Sequence, residues 1–115
     1  MRSRVPDDFQ FLIPWFRCEP GLEIQLRREA PPGHCLFGVE ARSVARHHHD
    51  DDVLFELFGD DAPATFAVVH LTWKNGPEVS PDFPGATLYA RFEDWVTSCM
   101  EPEANELTRM RRGVD

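Results

Sequence analysis

The chain has 115 residues, 42% hydrophobic and 28% charged, with nine Phe and three Trp; this composition supports one folded core and excludes a disordered chain. A formal net charge of −8 disfavours nucleic acid and anionic membrane surfaces, which recruit cationic proteins. No run approaches the ~18 apolar residues of a membrane span, so neither nucleic acid nor membrane is an expected partner.

The first segment, Met1 to Asp8, carries no apolar core or small-residue cleavage site and does not read as a signal peptide. Phe9, Leu12, Ile13 and Phe16 recur at helical spacing, but Pro14 lacks an N–H and clashes with the turn before it. The pattern predicts a short helix near 6–13, then a bend carrying Trp15 and Phe16. Pro20 stands at a first helical position, followed by good helix formers with Leu22 and Leu26 at i, i+4, so 20–29 is expected to be helical. Ala-Pro-Pro-Gly33 ends it.

From His34 the period changes to two. Phe37, Val39, Ala41, Ser43 and Ala45 alternate with Gly38, Glu40, Arg42, Val44 and Arg46, as in a half-buried strand over 36–46. His47 to Asp52 is a polar connection, and 53–58 is a second strand. Gly59 to Ala64 is rich in breakers. A third strand over 65–73 has Ala67, Val69, Leu71 and Trp73 on a wholly apolar face, expected as core beneath a helix bearing Trp95. The loop from Lys74 to Gly85 is stiffened by prolines, and Thr87 to Ala90 is a short extended piece. Phe92, Trp95, Val96, Cys99 and Met100 form the cleanest helical stripe, with Pro102 expected to end it. The predicted fold is α+β. A three- to four-stranded antiparallel meander carries two or three helices in one domain over 1–115, with a mobile tail from about residue 103.

Cys18, Cys35 and Cys99 are an odd count without C-x-x-C spacing, which reads as reduced thiols in a cytoplasmic protein. His47, His49 and Asp51 belong to the run His47-His-His-Asp-Asp-Asp52, whose ligand types suit a divalent metal. Consecutive side chains diverge, however, and a solvated loop is the simpler reading. His70 is the histidine best placed for chemistry. With Glu56 and Thr72 on one face of a meander, a carboxylate would raise its pKa and fix its tautomer. The competing reading is a hydrogen-bonded core histidine. No G-x-S-x-G, phosphate loop or dinucleotide fingerprint occurs, and no cofactor is expected. Trp15 and Phe83 stand beside prolines in irregular segments and are the aromatic candidates for a binding surface. Arg109, Arg111 and Arg112 form the only basic cluster and read as a solvated end.

Four motifs carry a resemblance: Pro-Gly-His34-x-Leu-x-Gly38, Asp52-Val-Leu-Phe-Glu-Leu57, Val-Val-His-Leu-Thr-Trp73 and Leu88-Tyr-x-x-Phe-Glu-Asp-Trp95. Together they resemble a family of small bacterial proteins with no known activity, over roughly residues 20–100. The resemblance implies a stand-alone bacterial domain. In size and acidity alone the chain is also similar to immunity proteins of bacterial toxin systems. Two functional expectations follow. One is a non-enzymatic, immunity-like acidic module that meets a basic protein partner. The other is a small ligand-binding or hydrolytic domain built around His70 and Glu56.

Overall fold

A computed structural model describes residues 3–112. Five strands form one antiparallel sheet in the order of the chain: β1 Trp15–Arg17, β2 Glu40–His47, β3 Asp52–Phe58, β4 Phe66–His70 and β5 Gly85–Tyr89. The meander was expected, but it has five strands rather than three or four. β1 lies against β2 at one edge, and β5 pairs with β4 at the other, with Phe66 opposite Tyr89 and His70 opposite Gly85.

The sheet is buried on both faces. Leu54, Phe66 and Val68 meet Trp15, Phe92, Trp95 and Met100 on one face. On the other, Val53, Phe55, Leu57, Ala67, Val69 and Leu71 meet Leu26 and Leu36. Helix α1, Glu23–Glu29, covers the second face through Leu26. The apolar side of β4 therefore lies beneath α1, not beneath the helix bearing Trp95 as the strand pattern suggested. That helix packs on the side of Phe66 and Val68, whose pairing with β5 brings Tyr89 into the same cluster.

Several boundaries differ from the sequence expectation for identifiable reasons. No helix forms over 6–13; the Ile13–Pro14 bond is cis and the chain enters β1 directly. Phe9 and Phe11 instead fold edge-on against Phe92, at 4.8 and 6.4 Å between ring centroids. β2 starts at Glu40, because residues 34–39 are taken up by successive turns that end on Gly38 at φ 76°. Within β2, Ser43 opposes Phe55 while Ala45 opposes Leu54, so Val44 is a bulge. The extra residue reverses the facing of everything after it. Ala41 consequently joins the α1 face and Ala45 the opposite one, which breaks the regular alternation expected over 36–46.

The final helix does not stop at Pro102. α2, Phe92–Trp95, passes through a π-helical turn, Val96–Met100, into α3, Glu101–Arg112. The Glu101 N–H bonds Val96 O, five residues back. A proline lacks an N–H and collides with the carbonyl four residues before it; the wider π turn moves that carbonyl aside. The segment expected as a tail from 103 is thus helical to Arg112. Among the described residues, no helix is long and apolar enough to cross a membrane.

Candidate functional site

The expected grouping of His70, Glu56 and Thr72 does not assemble. Glu56 pairs with Phe66, whereas His70 pairs with Asp52 at the other end of β3. Glu56 is fully buried and accepts from Ser3 Oγ at 2.7 Å, from the Arg4 backbone N–H at 2.7 Å and from Arg4 Nε at 2.9 Å. Every donor to it comes from the N-terminal segment, so its role is to anchor that segment. Thr72 turns to the other side of the sheet, where its N–H and hydroxyl reach Glu29 at 2.8 and 3.0 Å.

Glu29 is also fully buried, and its carboxylate further accepts from the Trp73 N–H at 2.8 Å and from Gln25 at 2.6 Å. These bonds bend the chain out of β4 after Leu71. Trp73 sits at φ 61°, a left-handed conformation that a bulky residue adopts only under tertiary constraint. Its indole is thereby delivered to the surface, 44% exposed, rather than to the core where the alternation of β4 placed it. Trp15 shows the reverse. It is 1% exposed and stacks edge-on against Trp95 at 5.1 Å, so its ring is part of the core and not an exposed surface aromatic. Phe83 is exposed, as expected.

What the fold does bring together lies where the β2–β3 turn meets the end of β4. The register of Asp52 against His70 sets His70 Nδ1 2.8 Å from Asp52 Oδ1 and 3.2 Å from Asp50 Oδ1. Asp51 accepts the Trp73 indole N–H at 3.0 Å. Its backbone carbonyl takes the Leu71 N–H at 3.1 Å, closing the turn onto the strand. The Arg46 guanidinium lies 5.8 Å from the Trp73 ring centroid. The result is an exposed patch of three carboxylates, one imidazole and one indole. The hydrogen bond to Asp52 holds the His70 imidazole above its ordinary pKa; slight desolvation opposes this, and the fields of Asp52, Asp50 and Asp51 add to it.

Three of these groups, Asp50, Asp51 and His70, offer ligand atoms within 4.8 Å of one another. A metal held there would have to displace the His70 proton and the Asp51–indole bond. Of the metal candidates in the histidine run, His47, His49 and Asp51, His47 is engaged elsewhere. His47 Nε2 is bound to Glu103 at 2.8 Å and its Nδ1 accepts the His49 N–H at 3.0 Å.

Two of the three cysteines, Cys18 and Cys99, are unsuited to act as nucleophiles. All three thiols are free. Burial pushes the Cys99 thiol up to about 12, reinforced by its bond to Glu103, and burial also raises Cys18; such thiols are inert. His34 is buried with Nε2 2.7 Å from Pro84 O and Nδ1 accepting the Leu36 N–H at 3.0 Å, so both ring nitrogens are engaged by the backbone.

The sequence pattern names neither Asp52 as the partner of His70 nor Trp73 as a member of the patch. The pairing register carried that information and is invisible in the composition of either strand. Fold and patch together define a small α+β domain with a two-sided antiparallel meander and an acidic, aromatic-bearing turn. No family model, curated protein or solved structure matches the chain.

Proposed function

We propose that this protein is a non-enzymatic interaction module that receives a cationic segment of a basic protein partner on the patch of Asp50, Asp51, Asp52, His70 and Trp73. The observation that carries this reading is the exposed Trp73 indole beside the carboxylate turn, its ring N–H donating to Asp51 while its backbone N–H donates to Glu29. Carboxylates supply charge-assisted bonds to Lys or Arg, and an indole supplies a face for cation–π contact. Arg46 beside the ring illustrates the geometry within the protein itself. The overall charge of −8 favours encounter with a basic protein. The acidity also suits an immunity-like role, in which a domain of this size covers a basic surface. A hydrolytic reading has less support, because Glu56 is committed to Arg4 and lies far along β3 from His70.

Calorimetric titration with a short Lys/Arg-rich peptide tests the reading. Asp50→Asn with Asp51→Asn is expected to weaken binding about tenfold, or about 1.4 kcal/mol. The charge-matched pair Asp60→Asn with Asp61→Asn, in the turn at the other end of β3, is expected to change it less than about twofold. Equal losses in the two pairs would reduce the effect to net charge and sink the proposal. A rise of several degrees in Tm with millimolar Ca²⁺ or Zn²⁺, abolished by His70→Gln, would reassign the patch to a metal.

A further inference from the structure

The segment 12–16, which runs into β1, the turn at His48 and His49, and the far end of α3 border a second feature, outside the acidic patch. A concavity of about 530 Å³ lies there, walled by Ile13, Pro14 and Phe16, with the two imidazoles on one side and Arg111 at the rim. Its size falls in the range of small-molecule sites, which combine apolar walls with a few convergent polar groups. Ile13 is 58% and Phe16 41% exposed, so both walls offer apolar surface that a ligand would remove from water. Phe16 meets His48 edge-on at 5.9 Å, and His48 meets His49 edge-on at 4.9 Å. Edge contacts of this kind leave ring faces available for stacking with a further planar group.

The polar element is cationic. Arg111 pairs with no carboxylate among the described residues, whereas Arg109 on the same helix is bound to Glu106 at 3.0 Å. Arg111 also borders an adjoining hollow of about 410 Å³, lined by Leu12 and Leu107 together with Asn105 and Thr108, so the residue is shared by two concavities. A guanidinium in that setting matches the planar, two-oxygen geometry of a carboxylate. Asp50 and Asp51 border a separate shallow depression that shares Phe16, His48 and His49 with this groove but not Arg111. In a chain of net charge −8, any anion held here must owe its place to this local group and not to the overall field.

We infer that the groove between segment 12–16, the His48–His49 turn and α3 binds a small aromatic carboxylate, its ring against Pro14 and Phe16 and its carboxylate on Arg111. The test uses 2-naphthoate and its neutral analogue 2-naphthamide, titrated into the full chain and followed by amide NMR shifts. The acid is expected to bind saturably, with shifts confined to 12–16, 48–49 and α3, and about tenfold more tightly than the amide. Arg111→Gln, an exposed substitution, is expected to remove that preference while leaving amide binding unchanged. Phe16→Ala is expected to weaken both ligands equally. Absence of saturation below about 5 mM, equal binding of acid and amide to the natural chain, or a concentration-dependent dimer that buries the same residues would each overturn the inference.

Discussion

At the scale of the residue, His70 is the group whose protonation the fold visibly controls. Its imidazole donates to Asp52 at 2.8 Å, with Asp50 at 3.2 Å, and that bond holds the proton above the ordinary value of 6.5. Because the folded value is raised, the associated stability is complete below the unfolded pKa and is lost as pH rises through the folded one. With the side chain 54% exposed, solvent screening keeps that contribution below about 0.5 kcal/mol. NMR titration of the imidazole is the sensitive measurement. The midpoint is expected above 6.5 in the natural chain and lower in Asp52→Asn than in the natural chain, with Asp50 and Asp51 still holding it up; an unchanged midpoint in that variant would refute the pairing. His70 stands out in the sequence as the lone titratable residue of an apolar run. Its partner does not. Glu56 and Asp52 both share its face by alternation, and only the antiparallel register, set by the turn over residues 59–64, decides between them.

At the scale of the element, α3 depends on one side chain. None of its residues is buried, and an isolated helix of this length is marginal in water. Glu103 is the link. It accepts from Trp15 Nε1 at 3.3 Å, Cys99 Sγ at 3.0 Å and His47 Nε2 at 2.8 Å, bridging the helix to β1 and β2. Glu103→Ala is expected to release α3 locally, at a cost of about 1–2 kcal/mol. Hydrogen exchange would show lost protection over 104–112 with β2–β4 unaffected; full protection of α3 in the variant would mean that another contact holds it. The helical stripe from Phe92 to Met100 was plain from its 3.6-residue period. Its continuation was hidden, because Pro102 is a stop signal in an α-helix and only the π turn before it makes the residue tolerable. The bulge at Val44 hid the facing of β2 in the same way. Period-based patterns report regular geometry, and both irregularities insert one residue that the period does not contain.

At the scale of the whole molecule, one sheet couples two cores. β3 supplies both, with Leu54 on the side of Trp15 and Trp95 and with Val53, Phe55 and Leu57 on the side of Leu26. No layer can open without withdrawing strands from the other, so the two faces are expected to unfold as one unit despite separate side-chain clusters. The tryptophans make this testable. Trp15 and Trp95 are buried on one face, and Trp73 lies at the surface. Phe55 is fully buried on the opposite face. Phe55→Ala is expected to cost about 3–5 kcal/mol, from lost transfer energy and the cavity left behind. That is a large share of the roughly 5–15 kcal/mol typical of a domain. Val69→Ala, on the same face, is the milder variant should the first fail to fold. In urea, tryptophan fluorescence and far-ultraviolet circular dichroism are expected to shift to the same lower midpoint. A fluorescence transition left at its original midpoint, while the dichroism moved, would mean that the face carrying Trp95 survives alone. In a coupled sheet that outcome is forbidden, because the strand that loses Phe55 packing is the same strand that presents Leu54 to Trp95's cluster.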